Sequence, residues 1–388
     1  MFFILGFFTF LSAGGNFYMA FELSQLFGLA DFNSPHSKTS QDMTQDSKML
    51  HVVTTRFMQN QPNLLALGKA RLRLFETFCL PTVIHQETSE FMWFIMTDPN
   101  LHPNLFSRLK SLLEPYSNFY LVSSNTKLLT PGNLTQGIEA ARTIIHTGDL
   151  EQLYSKMFDQ HRPLLIETRL DADDGLHKTV LSEIQRLAYE LPKDVRGWQI
   201  ICNRLHFEWR NNEILEETNH TIQSSGKLRL VREHICTTPG YSLIKHRIAQ
   251  SIEFPPWPKI GHHLITREWP NCQSEGGENV THDCWLKLDP YPAAIRSRTI
   301  TSAGMSRVEP MPDGTMYENQ TELFWRVIEK DFGISRHAAV DTSQFLKDNL
   351  ADIALDNLKG QCTFGHSCKN SSREILLGYV NSTVMVNL

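Results

Sequence analysis

The sequence predicts an α/β domain with a mostly parallel central sheet flanked by helices. Short apolar runs of strand length alternate with segments whose apolar residues recur at helical spacing. One run, at residues 91–96, is apolar at every position, which is typical of strands buried on both faces of a parallel sheet. The chain has 388 residues, 41% of them hydrophobic and 20% charged, so it can bury a full core as one large domain or two.

Most of the regular elements are predicted in the first half of the chain. Strands are expected at residues 51–55, 91–96, 118–122, 164–167 and 198–202, and helices at 64–78, 105–113 and 178–188. The second half is less regular. There we expect strands at 227–231 and 235–238, loops over a site at 253–292, and surface helices at 322–330 and 342–358.

The N-terminal sequence predicts that the protein enters the secretory pathway. The first 21 residues carry no charge, are apolar on all faces and are long enough to cross a bilayer as a helix. We therefore expect a signal-anchor or signal peptide at 1–22, followed by a polar stem at 23–48. An uncleaved anchor is favoured because the apolar run continues past Ala13 to Phe21, and a buried core helix is the alternative. The expected location is the Golgi or another secretory-pathway membrane with a lumenal catalytic domain; secretion is the alternative.

Glycosylation sequons and cysteines are consistent with entry into the secretory pathway. Six N-x-[ST] sequons begin at Asn133, Asn219, Asn279, Asn319, Asn370 and Asn381. Among seven cysteines, the spacings of Cys272 with Cys284 and of Cys362 with Cys368 suit small disulfide loops. The net charge of -5 does not indicate a basic surface of the kind that binds nucleic acid, so nucleic acid is not expected as the main partner.

The segment LLIETRLDADDGL, residues 164–176, places three acids directly after an aliphatic strand. Asp171 and Asp173 form a D-x-D pair that can hold one divalent cation, Mn²⁺ or Mg²⁺, and leave coordination positions open. The structural alternative is a solvated turn whose acids complement the dipole of the next helix. Arg56, Asp98 and these acids each follow a predicted strand, so they should converge where open parallel sheets bind ligands.

A cation at such a pair would share its ligands with a diphosphate and offset charge on a departing nucleoside diphosphate. This is the chemistry of a metal-dependent, nucleotide-sugar glycosyltransferase with the α/β architecture called GT-A. We accordingly divide the chain into a nucleotide-sugar-binding half at 49–205 and an acceptor-side half at 206–388. A non-catalytic carbohydrate-binding module and a metal-dependent hydrolase remain open alternatives.

Four segments carry a family resemblance: HVVTTRF, RLRLFETFCLPTVIHQETSEFMWFIMTD, ETRLDADDGL and RSRTITSAGM. Together they resemble the GT-A-like family of putative rhamnosyltransferases over residues 51–310, with weaker similarity around GQCTFGHSCK. The resemblance implies a GT-A-like nucleotide-sugar-binding fold and transfer of a sugar to a glycan or glycoconjugate, with the D-x-D at Asp171 and Asp173. Rhamnose is the family's label, and galactosyl or glucosyl donors are alternatives. Ile300 stands where the family's pattern leads us to expect proline.

Further donor-site residues are predicted with structural alternatives beside them. Arg56 and Arg169 could contact the diphosphate, or be surface or acid-paired arginines. Asp98 could hold the base or ribose, or be a turn residue before Pro99. Asp174 could orient a metal ligand, although capping of the next helix is favoured. The RSRTITS segment could close over donor or acceptor through Arg296, Arg298, Thr299 and Ser302.

The loop-rich second half supplies the remaining candidates. His262 or His263 could be the third metal ligand that GT-A enzymes often take from a C-terminal histidine, and His263 is chosen here. An inverting transfer needs a carboxylate base. The base candidates are Glu233, Glu268 and Asp283, with Glu268 preferred because Trp269 beside it could stack on an acceptor sugar.

Overall fold

The structure is a computed structural model. It describes residues 49–124, 143–158, 164–191, 199–203, 205–211, 226–232, 239–246, 285–287, 292–302 and 321–363. Residues 48–388 form one compact unit. The predicted N-terminal segment and stem, the six sequons and the 235–238 strand lie outside the described residues. Among the residues that are described, no helix has the length and apolarity needed to span a membrane.

The larger of two sheets has eight strands within the described ranges. In chain order they are β1 (Met49–Phe57), β2 (Met92–Thr97), β3 (Phe119–Ser124), β4 (Thr143–Ile145), β5 (Leu164–Arg169), β7 (Gln199–Asn203), β10 (Tyr241–His246) and β11 (Trp285–Lys287). Across the sheet the order is β11-β7-β10-β5-β1-β2-β3-β4. The four central strands β5, β1, β2 and β3 are parallel, and β4 and β10 run antiparallel to their neighbours. The predicted α/β class with a mostly parallel sheet is confirmed.

Central strands follow the predicted patterns closely. All six residues of β2 are buried, as the continuous apolar run predicted. Trp93 packs between Phe75 and Phe119, and its indole N–H donates to Thr55 Oγ1 at 2.9 Å. Because β1 pairs in parallel with both β2 and β5, the carboxyl ends of these three strands lie side by side at one edge of the sheet.

Helices cover this sheet. They are α1 (Leu65–Leu74), which continues through a π-helix (Phe75–Cys79) into α2 (Leu80–Ile84), then α3 (Pro103–Leu113), α4 (Leu150–Phe158) and α5 (Val180–Glu190). The start of α1 is capped from a distant segment, since Asp356 Oδ2 accepts from the backbone N–H of Ala66 at 2.9 Å. The π-helical turn is a feature often found beside functional sites, and here it lies between α1 and α2.

The smaller sheet has the order β6-β12-β8-β9. Its strands are β6 (Gly175–Leu176), β8 (Leu205–Arg210), β9 (Lys227–Arg232) and β12 (Ala294–Arg298). Phe207 and Trp209 lie on its apolar face, where Trp209 packs against Phe78 and Phe207 against Phe324. In this sheet we predicted β9 but not β6, β8 or β12, and the RSRTITS segment begins inside β12. In the large sheet, β4 and β10 were not predicted, and β11 lies inside the segment 253–292 that was predicted to be loops.

The C-terminal helices differ from the prediction in two respects. They are α6 (Thr321–Phe332), α7 (Arg336–Asp348) and α8 (Leu350–Thr363). The single helix predicted at 342–358 is wrong, because Asn349 ends α7 and its side chain donates to the carbonyl of Phe345 at 2.9 Å. These helices are also more than a surface layer, since Phe324 and Trp325 of α6 are buried in the core.

Candidate donor-binding site

The predicted convergence of polar groups is present at one edge of the large sheet. Arg56 is near the end of β1, Asp98 directly follows β2, and the acid loop, Asp171 to Asp174, begins two residues after β5 ends. Since β1 pairs in parallel with both β2 and β5, the three segments emerge at the same edge. This edge is where open α/β sheets bind ligands.

Within the acid loop, the two D-x-D residues differ from their neighbour Asp174 in exposure. Asp171 is exposed and Asp173 is half-buried. Burial and the charge of Asp171 raise the pKa of Asp173, while Arg71 and Arg298 oppose that rise. Arginines from other segments, Arg71 and Arg298, therefore act against the effects of burial and of Asp171 at this carboxyl group.

Asp174 has a structural role that the sequence did not predict. It is buried, and its carboxylate accepts from the backbone N–H of Ser297 in β12 at 2.9 Å. The favoured prediction, a helix cap, is wrong, because α5 begins only at Val180 and its N-cap residue is Thr179. A bond to the backbone of the small sheet uses the carboxylate instead, and it ties the acid loop to β12.

Gly175 allows the acid loop to approach the π-helix closely. A Cβ atom at this position would lie 2.6 Å from the carbonyl oxygen of Phe78 and 2.7 Å from Thr82 Cγ2. The contact with the carbonyl oxygen is too short for any other residue without movement of the backbone. The last residue of the DADDG motif is therefore required by packing.

Arg71 of α1 is a site residue that our sequence analysis missed. Its Nη1 donates to Gln61 Oε1 at 2.5 Å and contacts Met58 Sδ at 3.5 Å, and its Nη2 donates to the carbonyl of Thr301 at 3.2 Å. Burial lowers the pKa of its guanidinium, and the charges of Asp173 and Asp171 raise it. A guanidinium stays protonated in proteins, so the side chain carries a positive charge that acts on the acid loop.

A second group of charged residues lies on β5 and its neighbours. Arg169 is 3.8 Å from Glu167 Oε1 through its Nε atom, and its guanidinium lies over the ring of Tyr241, 5.5 Å from the centroid. Arg56 is exposed and interacts electrostatically with Arg169 and Asp171. The alternative of an acid-paired arginine therefore has support at Arg169, although the pair is long.

Asp98 lies on the other side of β1 and is held by backbone groups. Its Oδ2 accepts from the N–H of Asn60 at 3.1 Å, and its Oδ1 accepts from the N–H of Asn100 at 2.9 Å. These bonds support the turn alternative for Asp98. Each carboxylate oxygen keeps a further lone pair, so binding of a base or ribose stays a prediction.

Arg296 and Arg298 lie on the charged face of the small sheet. Both belong to β12, and Arg298 Nε is 4.0 Å from Glu208 of β8. The following residues form a buried turn, in which Thr299 N–H donates to Ser302 Oγ at 3.2 Å and Thr299 Oγ1 shares a 2.9 Å hydrogen bond with Thr301 Oγ1. This turn is anchored on α8, because Asn357 donates to the Ile300 carbonyl at 2.6 Å.

The donor atoms of the acid loop suit a hard cation, since carboxylate oxygens are the preferred ligands of Mg²⁺ and Mn²⁺. No cluster of three or more acidic, histidine or cysteine ligands is found in the described part of the chain. Asp171 and Asp173 could therefore supply two protein ligands, and the predicted third ligand, His263, lies outside the described residues. So do His262 and the candidate bases Glu233, Glu268 and Asp283.

Residues 61–199 match the model of a protein family described as "Putative rhamnosyl transferase". The predicted family resemblance is confirmed over that segment. It is shorter than the predicted span of 51–310, but it contains Arg71, Asp98 and the whole acid loop. The match supports a glycosyltransferase. No curated protein matches the chain.

Two solved structures show low overall similarity. One, from Desulfovibrio desulfuricans G20, is described as a "putative nucleotide-diphospho-sugar transferase"; it is 8% identical, with a TM-score of 0.30, over 80% of this chain and 99% of its own. The other is mouse xyloside xylosyltransferase 1 in its apo form, 14% identical, with a TM-score of 0.20, over 40% of this chain and 53% of its own. Similarity at this level adds nothing to the geometry above.

Proposed function

We propose that the protein transfers a sugar from a nucleotide-sugar donor to a glycan or glycoconjugate acceptor, assisted by a divalent cation at Asp171 and Asp173. The supporting observation is the mixture of charges at the carboxyl edge of β5. Two carboxylates interact there with arginines contributed by β1, α1 and β12. A nucleotide sugar brings a diphosphate and a cation together, and this arrangement has groups for both.

Arginines would hold the diphosphate. The charges of Asp171 and Arg169 both act on Arg56, and the charge of Arg298 acts on Asp173. A guanidinium can donate two parallel N–H bonds to phosphate oxygens, so each of these side chains could fix the donor's orientation. Asp98 is proposed for the nucleoside through its remaining lone pairs.

Asp171 and Asp173 would hold Mn²⁺ or Mg²⁺, with His263 proposed as a third ligand. When bound, the cation would offset the negative charge that develops on the departing nucleoside diphosphate. The residues around it keep two acids together despite their mutual repulsion, because Arg71 and Arg298 offset part of that charge.

The acceptor would be bound by the second half of the chain. Glu268, and then Asp283, are proposed as the base that takes the proton from the acceptor hydroxyl. Rhamnose is the sugar in the family's description; galactosyl and glucosyl donors are further proposals for the same site. The apolar N-terminus supports a proposed anchor in a Golgi or other secretory membrane.

Release of nucleoside diphosphate from a panel of nucleotide sugars, in the presence of Mn²⁺, tests this function. We expect one donor to be turned over, with loss of at least about a hundredfold in rate after chelation or in Asp173→Asn. Asp341→Asn makes the same substitution in an exposed acid of α7 and should retain the activity. A folded, cation-binding protein that turns over no donor would instead be a non-catalytic sugar-binding module.

A further inference from the structure

Arg71 connects three segments that are far apart in the chain. It belongs to α1, and it donates to Gln61 in the loop after β1 and to Thr301 in the turn after β12. These contacts place its guanidinium at the carboxyl edge of β1, where the charges of Asp173 and Asp171 raise its pKa. A side chain with three such contacts has little freedom to rotate away from the acids.

The loop that receives Arg71 is itself constrained. Met58 and Asn60 both have left-handed backbone conformations, with φ of 53° and 59°. Asparagine adopts this conformation more readily than most residues, but for Met58 it is unfavourable and persists only where neighbouring contacts enforce it. Here the N–H of Asn60 is held by Asp98, and Gln61 is held by Arg71. Arg71 is therefore attached to a rigid support.

Neutral groups supply the hydrogen-bond acceptors that the structure shows for Arg71. They are an amide oxygen, a thioether sulfur and a backbone carbonyl. They orient the guanidinium without cancelling its charge, which keeps acting on the acid loop. A guanidinium has five N–H donors, more than the three contacts above use, so it can donate to another oxygen.

We propose that Arg71 is a fixed cation of the donor site. Its charge offsets the negative charge of Asp171 and Asp173 before a metal ion binds, and it contacts the donor diphosphate once the metal ion is bound. The inference rests on the proposed function, because it takes the ligand to be a diphosphate with a divalent cation. It identifies a donor-binding residue from α1 in addition to the predicted arginines.

The proposal has a consequence that a purely structural role would not have. Removing the charge of Arg71 takes a cation away from the acids, so a free divalent cation should bind more tightly. The same change removes a donor to phosphate oxygens, so a diphosphate should bind more weakly. A loss of local structure would weaken both.

The test uses Arg71→Gln, with Mn²⁺ alone and then inorganic pyrophosphate in excess Mg²⁺ as the probes in titration calorimetry. We expect the dissociation constant of Mn²⁺ to fall by roughly threefold to tenfold. That of pyrophosphate should rise by about tenfold or more. Arg71→Lys keeps the charge but loses the planar fork, so its Mn²⁺ affinity should stay within about twofold of the unmodified protein while pyrophosphate binding weakens.

Two matched variants separate charge from structure. Arg73→Gln removes an exposed arginine of the same helix, which lies over the Phe345 ring at 5.6 Å, and should change neither affinity. Gln61→Ala removes a partner of Arg71 and leaves the charge in place, so Mn²⁺ binding should not tighten.

Weaker binding of both probes by Arg71→Gln would overturn the inference, as would unchanged binding of pyrophosphate. If the unmodified, folded protein binds neither probe, the proposed function itself fails, and the inference fails with it.

Discussion

Glu167 of β5 and Glu208 of β8 are almost equally buried, with 2% and 3% of their surface exposed, yet their environments shift the two carboxyl groups in opposite directions. Burial raises the pKa of Glu167 to about 8, although Arg169, Thr54 and Arg56 oppose the shift. The pKa of Glu208 is lowered despite its burial, because Arg210 and Arg229 stabilise its charged form.

Contact geometry explains the difference. Both oxygens of Glu208 accept from Arg229 at 3.0 Å, and Arg210 is bonded to one of them. Glu167 has one hydrogen bond, from Thr54 Oγ1 at 3.2 Å, and its Arg169 partner is 3.8 Å away. Its second oxygen is buried and has no hydrogen-bond partner among the described residues. Hydrogen bonds donated by a guanidinium offset the cost of removing the carboxylate of Glu208 from water. A guanidinium 3.8 Å away, as at Glu167, does not offset that cost.

The largest effect is expected from Glu208→Gln. This change leaves Arg210 and Arg229 partly buried without the charge that compensates them, and we expect a loss of about 3–5 kcal/mol in the free energy of unfolding. Urea unfolding at pH 7 measures it. Glu208→Asp keeps the charge and should lose less. Equal losses in the two variants would show that packing, and not charge, decides the stability of the small sheet.

At high pH, Glu167→Gln should raise the free energy of unfolding, whereas Glu208→Gln should lower it. A carboxyl with a raised pKa binds more protons in the folded protein. Its contribution to stability is therefore complete below its ordinary pKa of 4.5 and is lost as the pH rises to about 8. The variant lacks this loss, so its free energy of unfolding should rise relative to that of the unmodified protein by up to about 1.4 kcal/mol per pH unit across that window.

Unfolding curves of both proteins between pH 4.5 and 8 give this difference, and groups unaffected by the substitution cancel in the comparison. The charged and titratable neighbours of Glu167 are Arg169, Arg56 and Tyr241, all of which the variant retains. A difference that is constant with pH would mean that Glu167 is ionised throughout, and that the contrast with Glu208 is wrong.

The smallest effect is expected at Asp98, a carboxylate held by neutral donors. Asp98→Ala removes acceptors from the N–H groups of Asn60 and Asn100, and about 1–2 kcal/mol of stability should be lost. Asp98→Asn keeps one acceptor oxygen and should lose roughly half as much. Thermal unfolding compares the two variants; no loss in either would show that the loop after β1 is held by other contacts.

The sequence predicts strands that bury apolar residues, but not a strand that buries a charged residue. Strand β2 was predicted because its apolar run is continuous, as burial on both faces requires, and β1 and β5 because each has a short run of aliphatic or β-branched residues of strand length. Strand β12 was not, since its sequence AIRSR contains two arginines and resembles a loop. Arg296 is nevertheless buried, opposite Glu208 in the neighbouring strand. A pairing between residues so far apart in sequence leaves no local pattern.

Prediction of the candidate site had the same limit. The acid loop was predicted because its acids follow a buried strand in a recognisable spacing. Arg71 was not, because RLRLF has the usual pattern of a helix with a polar face, and its partners Gln61 and Thr301 become neighbours only after folding. Glu167 was missed because it stands inside an aliphatic strand, where a carboxylate gives no motif.

Titration calorimetry of nucleotide-sugar binding, with Mn²⁺ and with a chelator, for the unmodified protein and Asp173→Asn, tests the central claim most directly. The account predicts that one donor binds and that its affinity falls by about tenfold or more when either the cation or the Asp173 carboxylate is removed. Donor binding that is indifferent to both changes would contradict it.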